Sequence, residues 1–292
     1  MRIVTLGLLV WSSAASASPA SVAAADKVVR ANIAASWTSH AKLDATTTHD
    51  RVFDAAVDEN RSPWFDDKCG ATYCNDVVML FGDWVPIGMK LAPFKPTIVI
   101  DDDAHVGWFA ADLTFNGKLG TGDSYIIKGS WPVRVTGVLV DDHGWKVAAE
   151  KFSLEVDDKS LEATADYIPN YGTLTDAPEL ELAAWFPGHV SEHMSSRATG
   201  VTGTSPSDVF PGKQMMKAFT GALDKLKLTT KWVELAPLAG GKIAWAHTTV
   251  TLALKGGEKL MTLGIVAVRE DGSWKWVSLN WSPEVSPDKA SH

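Results

Sequence analysis

Two residues of this chain, an aspartate and a histidine, have side chains that could catalyse proton transfer and lie in the middle of predicted strands. Asp112 stands four residues after Trp108 in the run HVGWFAADLTF, and His247 stands two residues after Trp245 in KIAWAHTTVTL. Because alternate residues of a strand share a face, each polar group lies on the side of its tryptophan. An aspartate or a histidine in such a place can act as a general base. A hydrogen-bonded residue in a structural strand is the alternative for both.

The same strand sides predict a site for a small ligand. Thr249 continues the alternation of Trp245 and His247, and Asn280 lies on the last predicted strand. If these sides face the interior of a domain, a few polar groups stand in an apolar cavity, which is the usual composition of a ligand site. The predicted ligand-binding residues are Trp108, Asp112, Trp245, His247, Thr249 and Asn280.

The chain has 13 tryptophans, and exposed tryptophans could stack on sugars. Three tryptophan pairs recur between the two halves of the sequence, which is more typical of core residues in a repeated fold. The pairs are Trp37 with Trp185, Trp108 with Trp245, and Trp145 with Trp274.

Two further patterns have the spacing of metal ligands. His189-Val-Ser-Glu-His193 matches the H-x-x-E-H motif of one class of zinc peptidases, and on a helix both histidines would share a face. The matching N-terminal segment has no second histidine, so an exposed helix end is expected instead. Asp101-Asp102-Asp103 could ligate calcium, but the run is also typical of a polar hairpin tip. We therefore expect neither a metal nor a cofactor, and the sequence contains no G-x-S-x-G, P-loop or dinucleotide-binding motif.

The N-terminus has the features of a secretory leader. Arg2 precedes an apolar run, and Ala15-Ser16-Ala17 forms a small-residue cleavage site. A second such site at Ala23-Ala24-Ala25 leaves the cleavage position open. We predict that residues 1–17 are a signal peptide and that the protein is exported to the periplasm or beyond the cell. An Ala/Ser-rich cytosolic tail is the alternative.

Composition limits the class of partner. The net charge is −8 and no Lys/Arg cluster is present, which argues against nucleic acid as a partner. No apolar run reaches the roughly 18 residues of a membrane span. At 292 residues and 46% hydrophobic content, the chain has room for two domains with their own cores. Cys69 and Cys74 would form a small-loop disulfide in an exported protein, and two thiols are too few for a closed zinc site.

The C-terminal third repeats a passage of the N-terminal half. Residues 105–115 (HVGWFAADLTF) match residues 242–252 (KIAWAHTTVTL). Each run is followed by a strand, an acidic glycine turn and a Trp-Lys pair, in VTGVLVDDHGWKVAAEKFS and in LGIVAVREDGSWKWVSLNWS. Upstream, AASW at 34–37 matches LAAW at 182–185. Four landmarks in one order predict a tandem duplication of one unit.

The two units have the same predicted order of elements. The first has helices over 25–43 and 75–91 and strands over 52–57, 97–101, 105–116, 125–140 and 145–156. The second has helices near 178–194 and 212–227 and strands over 198–203, 228–235, 242–254, 259–269 and 274–282. Long strands joined by short Gly/Asp turns indicate antiparallel pairing, and helices ahead of them indicate an α+β fold. The predicted domains cover 25–156 and 177–286, with a linker over 157–176.

This order resembles the cone-shaped fold of nuclear transport factor 2, ketosteroid isomerase and the SnoaL-like proteins. GTSPSDVFPGKQ at 203–214 is similar to the strand, acidic turn and glycine that open the second SnoaL-like helix. GKIAWAHTTVTL and LGIVAVREDGSWKWVSLNWS are similar to the last strands of that family. The resemblance implies two tandem domains, each a curved antiparallel sheet with helices on its concave side. Such folds host enzymes, ligand binders and assembly modules.

The resemblance to steroid isomerases implies an acidic base with a tyrosine and a second acid in the cone. Three of the four tyrosines, Tyr73, Tyr167 and Tyr171, fall in a loop or in the linker instead. We therefore expect an exported, non-catalytic tandem SnoaL-like protein that binds a small apolar ligand or a protein partner, with open sheet faces that could form oligomers. The alternatives are an isomerase- or hydrolase-type enzyme that uses Asp112 or His247 as general base, and a tryptophan-based glycan binder.

Overall fold

The computed structural model describes residues 17–41, 85–120, 126–154, 185, 188–199, 224, 227–228, 234–238, 240–254 and 257–282. These ranges contain a long helix, α1 (Pro19–Ala41), and two antiparallel sheets. Sheet one contains β1 (Val85–Leu91), β2 (Thr97–Asp101), β3 (Val106–Gly120), β4 (Ile126–Asp141) and β5 (Trp145–Leu154). Sheet two contains β6 (Lys227–Leu228), β7 (Glu234–Leu238), β8 (Ile243–Leu254), β9 (Gly257–Glu270) and β10 (Ser273–Ser282). The described part of the chain is therefore an α+β fold that is rich in sheet.

The two sheets are built on the same plan. In sheet one β3 pairs with β4 and β4 with β5, while the short strands β1 and β2 share the other edge of β3. In sheet two β8 pairs with β9 and β9 with β10, while β6 and β7 share the other edge of β8. Every pair is antiparallel, as the short Gly/Asp turns of the sequence indicate.

Helix α1 packs on one side of sheet one. The Ser18 hydroxyl accepts a hydrogen bond from the Ser21 backbone N–H at 3.1 Å and caps the helix. Pro19 is suited to the first helical turn, so the helix begins six residues earlier than its apolar pattern predicts. Its buried stripe consists of Ala25, Val29 and Ile33, spaced four residues apart. The stripe contacts a cluster on sheet one that includes Phe109, Leu113, Phe115, Trp131, Val133 and Val135.

The prediction of a helix over 75–91 is wrong over Val85–Leu91, which form β1 instead. Pro86 cannot donate the hydrogen bond that a helix interior requires. Gly88 has φ +60° beside an irregularity in the β1–β3 register, and an edge strand tolerates both residues. Residues 75–84 lie outside the described ranges.

The second unit also departs from its predicted elements. Residues 188–193 form turns and Met194 pairs with Trp276 beside β10, so the helix predicted near 178–194 does not reach its expected end. Within the strand predicted over 228–235, the described residues are Leu228 of β6 and Glu234 and Leu235 of β7, and residues 229–233 lie outside the described ranges. The linker over 157–176 and the two cysteines lie outside the described residues, so the domain boundaries and the disulfide stay predictions.

Candidate functional site

The side of sheet one that faces away from α1 is packed against sheet two. Phe109 and Val135 belong to the cluster under α1, so their neighbours Trp108 and Thr136 lie on the opposite side. Lys151, which is opposite Thr136 in the β4–β5 register, lies on that side as well. The facing positions of sheet two are Trp245, Gly264 and Asn280. We call the packing of these two sides the intersheet contact.

Polar groups are paired within the intersheet contact. The Asn280 side-chain amide donates to the Thr136 hydroxyl at 3.2 Å, and both residues are at most 1% exposed. The Lys151 ammonium donates to the Asn280 backbone carbonyl at 3.0 Å. A Cβ atom added to Gly264 would lie 2.8 Å from Lys151 Cδ, so the missing side chain allows the close approach.

The intersheet contact contains the same pair of positions twice. Lys151 is opposite Thr136 in sheet one, and Asn280 is opposite Gly264 in sheet two. Lys151 in WKVAAEKFS also occupies the position of Asn280 in WKWVSLNWS. The Asn280–Thr136 contact and the Lys151–Gly264 contact therefore involve equivalent positions. In the first, sheet two supplies the last-strand residue, and in the second, sheet one supplies it. A two-fold relation between similar surfaces produces this arrangement.

Of the predicted ligand-binding residues on sheet two, the structure describes the side chains of Trp245 and Asn280, both at most 3% exposed. Their side of sheet two faces sheet one rather than the interior of a domain, because the Asn280 amide bonds to Thr136. The backbone register pairs His247 with Gly264 and Thr249 with Thr262. The side chains of His247 and Thr249 lie outside the described part of the structure. A role in ligand binding stays a prediction for these residues.

Asp112 lies with Trp108 on the side of sheet one that faces away from α1. Its carboxylate accepts a hydrogen bond from Arg134 Nε at 2.7 Å. The Arg134 side chain is fully buried, whereas the Asp112 side chain is 44% exposed. A buried cation needs such a partner, so this contact gives Asp112 a structural role. Its function as a general base stays a prediction.

Arg197 joins the two sheets at one edge of the intersheet contact. Its guanidinium pairs with Asp101 at the end of β2, and its Nε lies 3.3 Å from Glu270 Oε1 at the end of β9. The same group lies over the Trp108 ring, 5.4 Å from the ring centroid. The Ser195 hydroxyl donates to Glu270 as well. One cation from the second half of the chain is thus shared by carboxylates of both halves.

A buried carboxylate lies on the α1 side of sheet one, where sequence reasoning did not place one. Glu150 on β5 is 4% exposed, and its Oε2 accepts a hydrogen bond from Asn32 Nδ2 of α1 at 2.8 Å. A carboxyl group is costly to bury unless it is hydrogen-bonded, and the bond from Asn32 meets part of this need. The sequence feature that could have indicated this buried acid is the position of Glu150. It directly precedes Lys151, so the two side chains lie on opposite faces of the strand.

The histidines of the H-x-x-E-H pattern have different surroundings. His189 Nδ1 lies 3.2 Å from Glu192 Oε2, whereas the His193 ring stacks on Trp185 with 5.0 Å between ring centroids. Burial, reinforced by the Lys275 ammonium, lowers the pKa of His193 below its usual value. Within the described ranges no group of three or more His, Cys, Asp or Glu side chains could hold a metal ion.

The described tryptophans with the least exposure are core residues. Each is at most 6% exposed, and they are Trp108, Trp131, Trp185, Trp245, Trp274 and Trp276. Stacking on a sugar requires an exposed ring, so these six side chains do not form such a surface. The glycan-binding alternative would need other tryptophans of the chain.

Comparison with known proteins finds partial similarity to solved structures but no matching protein family or curated protein. None of the described helices has both the length and the apolar character to cross a membrane. No protein-family model matches the chain, and no curated protein matches it significantly. Solved structures that are similar to part of the chain include an NTF2-like protein of unknown function from Pseudomonas putida KT2440. That protein is 14% identical, and the match covers 41% of this chain and 95% of that one with a TM-score of 0.31.

Two further solved structures are similar to part of the chain. A candidate ketosteroid isomerase from Shewanella frigidimarina is 17% identical, with 36% of this chain and 89% of that one covered and a TM-score of 0.26. An NTF2-like protein involved in plasmid conjugation is 10% identical, with 67% of this chain and 76% of that one covered and a TM-score of 0.21. By their descriptions, these three solved structures are two NTF2-like proteins and one candidate ketosteroid isomerase.

Proposed function

We propose that this protein is an exported pair of tandem SnoaL-like domains that bind a small, largely apolar ligand and pair with each other through their sheets. The tandem arrangement is supported by the sequence repeat and by the common plan of the two sheets. The repeated Asn280–Thr136 and Lys151–Gly264 contacts support it further, because they relate equivalent positions of the two units.

The Glu150–Asn32 pair carries the proposal of a ligand site. It lies on the helix-covered side of sheet one, next to the apolar cluster that contains Phe109 and Val135. An apolar surface with a few polar groups is typical of a small-molecule site. The carboxylate would accept a hydrogen bond from a hydroxyl or amine of the ligand, and Asn32 would orient it. We therefore propose a ligand with an apolar body and one donor group.

Binding of matched aromatic probes tests this site. 2-Naphthol and 2-methylnaphthalene have similar size, but only the first donates a hydrogen bond. Calorimetric titration should give tighter binding of 2-naphthol, and Glu150→Gln should weaken it by roughly 10- to 100-fold, the worth of a hydrogen bond to a charged group. Asp142→Asn, in the turn between β4 and β5, should leave both affinities unchanged.

Equal affinity of the two probes would contradict the proposed role of Glu150. The same holds if folded Glu150→Gln protein binds 2-naphthol as tightly as the unmodified chain does. Circular dichroism and the melting temperature of each variant separate loss of binding from loss of fold.

An isomerase- or hydrolase-type enzyme is the second candidate. One observation changes which residue would act as its general base. Glu150 lies on the helix-covered side of sheet one, whereas Asp112 lies on the other side and bonds to Arg134. A general base that acts within domain 1 would therefore be Glu150 rather than Asp112.

A further inference from the structure

The intersheet contact is made twice, but with unlike residues at equivalent positions. Lys151 of sheet one corresponds to Asn280 of sheet two, and Thr136 corresponds to Gly264. In one copy of the contact, an amide donates to a hydroxyl at 3.2 Å. In the other copy, a lysine stem covers a glycine so closely that a Cβ atom would lie 2.8 Å from Cδ. Each half thus supplies one long and one short residue, and the two combinations are complementary.

If two copies of the same sheet packed against each other, this complementarity would be lost. Two copies of sheet one would bring Lys151 against Thr136, whose Cβ and branched side chain occupy the space that Gly264 leaves open. Two copies of sheet two would bring Asn280 against Gly264, so the amide would lack the Thr136 hydroxyl. In the first arrangement the Lys151 stem must move away from the added atoms, and the second leaves a buried donor without this acceptor.

We propose that the sheet face of each half selects the other half of this chain and rejects a second copy of itself. The selection rests on the tandem pairing proposed above and deepens it, because it names the partner of each face. Buried positions with unlike partners give such selectivity by penalising the wrong combinations as well as by favouring the right one. Thr136 and Asn280 are both at most 1% exposed, so solvent cannot relieve a mismatch.

Two exchanges in the full-length chain test the selection. Gly264→Thr creates the Lys–Thr combination of a like pair and should lower the urea midpoint of unfolding. Adding Lys151→Asn converts the same contact into Asn–Thr, a copy of the native Asn280–Thr136 pair. The double variant should recover at least half of the lost midpoint, although it gives up the Lys151 bond to the Asn280 carbonyl.

The second exchange applies the same reasoning to the other copy of the contact. Thr136→Gly should lower the midpoint because the bond between the Asn280 amide and the Thr136 hydroxyl is lost. Adding Asn280→Lys produces Lys–Gly, a copy of the native Lys151–Gly264 pair, and should restore part of the loss. Lys151→Asn and Asn280→Lys alone serve as references, so each exchange forms a complete double-mutant cycle.

The outcomes separate the selection from the tandem pairing itself. If all four single substitutions leave the midpoint unchanged, the two sheets do not pack through these faces and both proposals fail. The single substitutions could lower the midpoint while neither double variant has a higher midpoint than its Gly264→Thr or Thr136→Gly parent. In that case the faces pack without selecting a partner. That second result overturns the selection alone.

Discussion

Replacing Arg197 by alanine should destabilise the whole chain, because it removes the cation that two carboxylates share. The Arg197 side chain is 30% exposed, and those of Asp101 and Glu270 are 21% and 22% exposed. Groups at this depth are only partly shielded from water, so their ion pairs are stronger than pairs on an open surface and weaker than fully buried ones. Trp108 also loses the guanidinium that covers its ring.

The expected loss follows from these contacts. Two charge-assisted contacts contribute about 1 kcal/mol each, and the cation–π contact adds about 0.5 kcal/mol. The sum is about 2.5 kcal/mol, which lowers the ratio of folded to unfolded chain roughly 60-fold. Arg197→Lys keeps the charge but loses the planar group, so it should cost about 1 kcal/mol.

Urea unfolding, followed by tryptophan fluorescence, measures both losses as shifts of the midpoint at constant slope. Lys146→Ala is a suitable control, because the Lys146–Asp142 pair is 41% and 35% exposed and should contribute little. The cycle of Arg197→Ala with Asp101→Asn should give a coupling energy of about 1 kcal/mol. An Arg197→Ala loss below about 0.5 kcal/mol, the ordinary range of surface substitutions, would refute the reasoning.

Two other predictions concern pH and export. The pKa of His193 is lowered in the folded state by burial and by Lys275, so the unfolded chain takes up a proton more readily. Stability should therefore be fully present above the usual histidine pKa and fall as the pH drops below about 6.5. Urea midpoints should show this slope, His193→Gln should flatten it, and His143→Gln at a fully exposed position should not. Because Ala25 belongs to α1 and is buried against sheet one, leader cleavage should leave Ser18 as the first residue, and a sequenced N-terminus beyond Ala25 would contradict this.

The strands could be predicted because their signals are local. Alternation and Gly/Asp turns lie within the sequence of each hairpin, and the predicted strand over 97–101 has the bounds of β2. β1 was missed because its apolar run fits a helix as well as a strand, and only pairing with β3 distinguishes them. Pro86 was the local sign against a helix.

The candidate sites could be predicted only in part. Alternation shows that Trp108 and Asp112 share a side, but it does not show which element covers that side. The partner of Lys151 is 129 residues away along the chain, and Asp101 is 96 residues from Arg197. Long cations are usually exposed, so no local pattern marks these two as contacts between the sheets. Glu150 needed the position of α1 before its burial could be inferred.

The covalent connection between the two sheets has a consequence for dilution. Separate subunits dissociate when their concentration falls below the dissociation constant, whereas linked partners keep an effective concentration that can reach about a millimolar. Contacts such as Asn280 with Thr136 join halves of one chain, so they should persist however few molecules are present. For a protein released as proposed into a large volume, assembly would be independent of how much is secreted.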